Sequence, residues 1–148
     1  MPQRSADSKN KHLEKVIALG KKHDSKPAFE NFLRQYYDDI AEEDLIQHTP
    51  QYLFGAALSH WDFGLKRPAG ETLVRVYNPN VKKDGWKSPH TIIEMVNGDM
   101  PFLVDTTIMT LTRNGIGVHL TVHPILYLDR DKQGVITRLD AAGEVHQS

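Results

Sequence analysis

The stretch SPHTIIEMVNGDMPFLVDTTIMTL, residues 88–111, decides the fold. Residues 91–96 form a short, largely apolar run rich in β-branched side chains, the pattern of a strand buried on both faces. Asn97-Gly98 supplies a tight turn. Asp99 is placed to cap a helix with its carboxylate, and Pro101 to sit in the first turn, where its missing N–H costs nothing. Val104, Ile108 and Leu111 then recur at i, i+4 and i+7, so one stripe of that helix faces a core. Asn114-Gly115 ends it, because both residues tolerate the left-handed conformation of a helix stop.

Downstream, Ile116, Val118, Leu120 and Val122 alternate with Gly117, His119, Thr121 and His123, the clearest two-residue period in the chain and the mark of a strand. The strand pattern continues from Ile125 to Leu128 past Pro124, which marks an edge or a bulge. Asp129 to Gly134 reads as a hairpin turn, with Val135 to Leu139 as the returning strand. The tail AAGEVHQS is small and polar. Upstream, Thr72, Val74 and Val76 alternate with Leu73, Arg75 and Tyr77, a further strand that Asn78-Pro79-Asn80 stops. A polar loop with Trp86 joins it to the deciding stretch.

Before residue 70 the period is helical. Thr49-Pro50 is a helix start, and Leu53, Ala56, Ala57, His60, Trp61 and Gly64 mark one face of the helix it opens. His60 reads as a helix-face histidine packed at an interface. Glu42 to Leu45 forms a short helical turn. Ser25-Lys26-Pro27 is another start, with Ser25 as cap, and Phe29, Phe32, Leu33, Tyr36, Tyr37 and Ile40 make a strong apolar stripe that favours core or interface packing over a ligand wall. Leu13, Val16, Ile17 and Gly20 indicate a helix that is marginal unless it packs on something. The first ten residues are polar and read as a frayed terminus.

The order is helices, then strand, then β-α-β-β, an α+β arrangement. It divides into a polar tail and marginal helix at residues 1–26, a helical segment at 27–70, and an incomplete α/β unit at 71–148. A β-α-β-β run is more than half of a ferredoxin-like β-α-β-β-α-β unit. The missing helix and strand leave an open sheet edge, to be filled by the strand at 72–77, by a second copy, or by a longer chain.

The 148 residues, 39% apolar and 25% charged with a formal net charge of −1, fit one soluble globular domain. That balance points away from nucleic acid and from anionic membranes, and Lys21-Lys22 and Lys82-Lys83 read as solvated surface. No cysteine is present, which removes disulfides, thiolate metal sites and a cysteine nucleophile. The polar start lacks the apolar core of a secretory signal, and no run approaches the ~20 apolar residues of a membrane helix, so a cytoplasmic protein is expected.

Catalytic and cofactor motifs are missing. Gly115-Ile116-Gly117 lacks the third glycine of a dinucleotide fingerprint and precedes a strand, the wrong context for pyrophosphate. Neither G-x-S-x-G nor H-E-x-x-H occurs. His119 and His123 share a strand face but lie roughly 13 Å apart at ~3.3 Å per residue, too far to share a metal unless Pro124 bends the chain and His90 joins. Asp99 and Asp105 read as a helix cap and an exposed helix residue. No catalytic, cofactor-binding or metal residue is expected.

Several strings occur together and in order: Tyr52-Leu-Phe-Gly-Ala-Ala-Leu-Ser-His-Trp61, Val74-Arg-Val-Tyr-Asn-Pro79, Gly85-Trp-Lys-Ser-Pro-His90, Asn97-Gly-Asp-Met-Pro-Phe-Leu-Val-Asp105 and Val118-His-Leu-Thr-Val-His-Pro124. From about residue 29 to residue 139 the chain resembles the amino-terminal region of the large bacterial NAD-dependent glutamate dehydrogenases. The resemblance implies a helical lead followed by ACT-like, ferredoxin-like modules used for amino-acid sensing and self-association. It places the NAD site and the catalytic lysine much later in such an enzyme, hence no cofactor in this segment. The implied partners are the remainder of the parent enzyme, further copies in a homo-oligomer, and an amino-acid effector.

Ligands of ACT modules tend to sit near the turn after the first strand, which corresponds here to Asn97, Gly98, Asp99 and Met100. Backbone N–H groups at that helix start could receive a carboxylate. The turn departs from the usual glycine-rich pattern, having one glycine, an anionic cap and a proline. Two readings result: a non-catalytic regulatory and assembly segment of the dehydrogenase, or a free-standing amino-acid-binding module. Self-association is expected from the aromatic stripe and the incomplete sheet.

Overall fold

The structure is a computed structural model that describes the backbone of residues 2–141 and the side chains of residues 8–141. The helical lead comprises α1 (Pro2–His23), α2 (Pro27–Tyr36), α3 (Glu42–Leu45) and α4 (Pro50–Gly64). The β-containing part comprises β1 (Leu73–Tyr77), α5 (Val81–Asp84), β2 (Ile92–Val96), α6 (Leu103–Arg113), β3 (Leu128–Arg130) and β4 (Ile136–Leu139).

The first helix starts at Pro2, where a frayed terminus was expected. It is held by packing: α1 lies against α2, α3 and α4, and Val16 and Ile17 are buried among them. Gly20 permits that approach, since a Cβ built there would lie 2.3 Å from Leu33 Cδ1. Pro27 opens α2 as expected, but Ser25 is not its cap. The cap residue is Lys26, whose N–H is taken by the Asp24 carboxylate at 2.9 Å. A carboxylate two residues back forms an Asx-type turn and displaces the weaker hydroxyl.

The aromatic stripe is core. Phe29, Phe32, Leu33, Tyr36 and Tyr37 are buried with Leu45, Leu53, Ala57 and Trp61. Tyr37 donates its hydroxyl hydrogen to the Leu53 carbonyl at 2.7 Å, joining α2 to α4. Five of its members are thus packed inside the chain, and Ile40 is half-buried. Thr49 caps α4 by accepting the Tyr52 N–H at 3.1 Å, with Pro50 next in the chain.

β1 and β2 pair antiparallel with Val74 opposite Met95, Arg75 opposite Glu94 and Val76 opposite Ile93. One face, with Arg75, Tyr77 and Glu94, meets α4. On the other, Val74, Val76 and Ile93 are 56%, 61% and 40% exposed. The expectation that β2 is buried on both faces is thus corrected: among the described residues its sheet stops at two strands, and α6 contributes no buried residue to cover it.

The helix start is also corrected. α6 begins at Leu103, its cap residue is Phe102 at φ 63°, and no side chain caps it. Asp99 is exposed and lies three residues before the cap position. Pro101 instead occupies a turn closed by Leu103 N–H to the Met100 carbonyl at 3.4 Å. A residue preceding proline is disfavoured in the helical region, so Met100 cannot continue a helix begun at Asp99. The helix stop holds, with Asn114 as cap and Gly115 at φ 77°.

Residues 116–127, the clearest alternation in the sequence, form no strand. Alternation reports a half-buried surface and not a pairing partner. Val122 and Leu126 pack on the core while Ile116 and Val118 stay exposed, and the free edge of β2 is left unpaired. The returning hairpin is shorter than expected: β3 and β4 pair antiparallel with an irregularity at Asp129/Arg130. It is tied to the end of α4 by Ile136 N–H to the Leu65 carbonyl and Arg67 N–H to the Gly134 carbonyl, both at 2.9 Å. α2 holds its exit: Asn31 Nδ2 donates to the Leu139 carbonyl at 2.9 Å and Gln35 Nε2 to the Asp140 carbonyl at 2.8 Å.

The α+β class stands, with two separate two-stranded antiparallel ribbons on a helical core. A continuous ferredoxin-like sheet is not formed among the described residues. Apart from Ala141, the small polar tail lies outside them.

Candidate functional site

A buried polar cluster sits where the β1–β2 ribbon meets α4. Glu94 is 2% exposed. Arg75 Nε donates to its Oε1 at 2.8 Å, Arg75 Nη2 bonds the same oxygen, and Ser59 donates to Oε2 at 2.8 Å. Arg75 Nη2 also reaches Ser59 Oγ at 2.6 Å. The Tyr77 hydroxyl hydrogen-bonds Ser59 and lies 3.4 Å from Glu94 Oε2. The guanidinium carbon sits 4.3 Å from the Tyr77 ring centre and 5.0 Å from that of Phe63, a cation–π arrangement. Burial is the main cause that pushes the Tyr77 phenol up, and the Glu94 charge adds to it, so it remains a neutral donor.

His60 carries the cluster deeper. Its Nε2 is 3.0 Å from the Met95 carbonyl and its Nδ1 2.7 Å from the Tyr36 hydroxyl. A carbonyl only accepts, so Nε2 holds the proton and Nδ1 accepts from Tyr36. Burial raises the Tyr36 phenol far above its ordinary range, with the Glu94 charge adding to it, so that hydroxyl stays protonated. The expectation that His60 packs at an interface is met, and its partners are now specific.

Arg75 Nε and Nη2, the Ser59 and Tyr77 hydroxyls and both Glu94 oxygens are turned toward one another. The chemistry of the cluster is that of a clamp between α4 and the ribbon, as expected of a carboxylate buried with its counter-ion and satisfied by hydrogen bonds. No motif or period marks it in the sequence, although two signals are present: a charge at Glu94 inside an otherwise apolar strand, and Arg75 at the matching position of the neighbouring alternation.

The expected ligand turn lies elsewhere. Asn97 Oδ1 accepts from Thr72 Oγ1 at 2.9 Å. Gly98 is exposed, and a Cβ built on it would stand 3.9 Å from Arg67 Nη2. Asp99 is exposed and Met100 is 51% exposed. Because α6 starts at Leu103, these residues do not carry its free amides. They line one side of an open cleft of about 1650 Å³, bordered also by β2 with Glu94, by α6, by residues 116–126 and by the faces of α2 and α4 that carry Tyr36 and His60. Small-molecule pockets usually measure about 300–1,000 Å³, so the cleft is wider than a single amino acid needs.

The histidines divide. His90 and His119 come together with ring centres 4.1 Å apart and planes at 22°. His123 does not join them in a ligand set. Among the described residues no group of three or more His, Cys, Asp or Glu is placed to hold a metal ion. Asp105 lies in the first turn of α6, where its charge suits the helix dipole, and Asp99 stands apart from it. No helix among the described residues is long and apolar enough to cross a membrane.

A helical lead, a clamped β-ribbon and a turn opening on a cleft make up an α+β domain. The chain belongs to the family described as "Glutamate dehydrogenase, ACT1 domain", whose profile matches residues 32–148. It is 32% identical over 134 residues to the NAD-specific glutamate dehydrogenase of Halomonas elongata, a match covering 90% of this chain and 8% of that protein. It is 34% identical over 108 residues to the NAD-specific glutamate dehydrogenase of Pseudomonas aeruginosa, covering 73% of this chain and 7% of that protein. The chain thus spans less than a tenth of the curated relatives it matches. No solved structure gives a significant match.

Proposed function

We propose that this chain is a non-catalytic, amino-terminal regulatory and assembly segment of an NAD-specific glutamate dehydrogenase. The parent reaction is the oxidative deamination of L-glutamate to 2-oxoglutarate and ammonia, with NAD bound in a domain outside this segment. The observation that carries the reading is the family match over residues 32–148, joined to the small fraction of each relative that it covers. The Glu94 cluster supports it, since Arg75, Ser59, Tyr77 and Glu94 are hydrogen-bonded to one another as a structural clamp. The partners are the rest of the parent enzyme and further copies of it, in the cytoplasm.

Two measurements test this. The purified chain mixed with glutamate and NAD is expected to form no NADH; formation of NADH would overturn the reading. Deleting this segment from the parent enzyme is expected to alter its assembly or its response to amino-acid effectors. An unchanged oligomer with an unchanged effector response would remove the regulatory and assembly role.

A second reading, a free-standing amino-acid-binding module, rests on the turn Asn97-Gly98-Asp99-Met100, which lines the cleft near the Arg67 guanidinium. Calorimetric titration with the twenty amino acids tests it. Heat with one of them that disappears in Gly98→Val supports the module, and no heat with any of them removes it.

A further inference from the structure

Two arginines at one end of the cleft carry charges that the described residues do not balance. Arg67 follows the end of α4, and Arg130 stands in β3 at the irregularity that breaks its register with β4. Both are half-buried, and both line the cleft together with the turn Asn97-Gly98-Asp99. The backbone brings them to one place. Arg67 N–H and Arg130 Nη1 donate to the same acceptor, the Gly134 carbonyl, at 2.9 and 2.7 Å. A bulge re-aims the side chain it carries, and here Arg130 Nη1 also reaches the Leu65 carbonyl at 3.3 Å.

These bonds occupy few of the donors and neutralise neither charge. Arg67 Nε donates to the Glu71 carbonyl at 2.6 Å, and among the described residues its Nη atoms have no protein acceptor. Arg130 uses Nη1 alone, again on backbone carbonyls. Among the described residues the ion pairs belong to Lys21, Arg34, Arg75 and Arg138, and no carboxylate pairs with Arg67 or Arg130. Asp131 also lines the cleft, but its Oδ1 accepts the N–H groups of Gln133 and Val135. Asp99 is exposed and makes no ion pair with either arginine. Burial holds Arg130 below its ordinary range, and the Arg67 charge adds to it, so the two cations stand close enough to act on each other. Gly98 leaves the space in front of Arg67 open: a Cβ built there would stand 3.9 Å from Nη2.

We propose that Arg67 and Arg130 form an oxyanion site at this end of the cleft, which takes a small dianion, a dicarboxylate or a phosphate, between the two guanidiniums and the Gly98 turn. A guanidinium presents its N–H groups as a planar fork that matches paired carboxylate or phosphate oxygens. Partial burial withdraws water from both forks and strengthens their contact with an anion. A dianion bound to both cations also removes their mutual repulsion, which no carboxylate among the described residues does. The site asks only for oxyanion charge, so it goes beyond the amino-acid reading of Asn97-Gly98-Asp99-Met100 and does not depend on it.

The test is calorimetric titration of the full chain with succinate and, separately, with inorganic phosphate at low salt, against sodium chloride of equal ionic strength. Saturable heat is expected with at least one of the two dianions and not with chloride; which of them gives it identifies the oxyanion. Arg67→Met, and separately Arg130→Met, should weaken that binding at least about tenfold, the loss of one charge-assisted hydrogen bond, while Lys82→Met, on the exposed surface outside the cleft, should leave it unchanged. Arg130 also braces the hairpin, so the unmodified chain supplies a second readout: the dianion should shift the nuclear magnetic resonances of Arg67 Nε–H and of the Gly98 amide. No saturable heat with either dianion would overturn the site. So would heat reproduced by chloride, or binding undiminished in Arg67→Met with the Arg67 Nε–H resonance unmoved. Dianion binding with no heat from any amino acid would remove the amino-acid module and leave this site standing.

Discussion

Arg75 on β1 and Glu94 on β2 are register partners, and the guanidinium Nε donates to the buried carboxylate at 2.8 Å. Removing the cation leaves the carboxylate 2% exposed, with only Ser59 and Tyr77 to satisfy it. Arg75→Met is therefore expected to destabilise the chain by about 3 kcal/mol in urea denaturation. The double variant Arg75→Met/Glu94→Met should recover most of that loss, because both desolvated charges are gone.

Gly55 lies under Trp86. A Cβ at residue 55 would stand 2.5 Å from Trp86 Cβ and 2.7 Å from Cγ, so Gly55→Ala must push the indole outward. Overpacking of this kind costs about 1–3 kcal/mol. Fluorescence should show it directly: Trp86, 5% exposed, is expected to shift to longer wavelength while helical circular dichroism is retained.

Tyr37 is buried, and its hydroxyl satisfies the Leu53 carbonyl at 2.7 Å. Tyr37→Phe should cost about 1–1.5 kcal/mol, the net worth of one buried hydrogen bond. Leu33→Ala, at a fully buried core position, should cost about 2–5 kcal/mol through lost transfer energy plus a cavity. Equilibrium denaturation of the two variants should preserve that order.

Burial lowers the His48 imidazole from its usual range. A base whose folded-state pKa is depressed binds protons more readily when unfolded. Its stabilising contribution is then complete above the unfolded value near 6.5 and falls as the pH drops through and below it. Denaturation midpoints measured at pH 7.5 and pH 5.5 should therefore differ less in His48→Gln than in the parent sequence. An equal difference in both would assign the acid sensitivity to other groups.

Much of the helical lead is legible in the residues because its signals are local. Thr49-Pro50 carries its own hydrogen bond to Tyr52, and the stripe from Phe29 to Tyr37 needs only a helical period to reveal its buried face. The ribbon of β1 and β2 is readable for the same reason. What misleads lies in pairing and in the exact start of a helix. Ile116 to Val122 has the period of a strand, but a strand exists only where a neighbour accepts its hydrogen bonds, and alternation is silent about neighbours. Asp99 has the chemistry of a cap, yet Pro101 moves the helix start to Leu103 and leaves Phe102 with a positive φ. The Glu94 clamp escapes a reading along the chain because its members, Ser59, Arg75, Tyr77 and Glu94, come from three elements that only the tertiary fold brings together.

The two amide side chains of α2 that grip the end of β4 have a mechanical meaning. Asn31 and Gln35 sit one helical turn apart and hold the carbonyls of consecutive residues, Leu139 and Asp140. A pull arriving along the backbone at residue 140 is therefore taken first by α2, and through Phe32, Leu33 and Tyr36 by the whole helical core. The joint works as a handle: tension at this point passes from the end of β4 into the buried helical core, so motion there is felt by the helices as a unit.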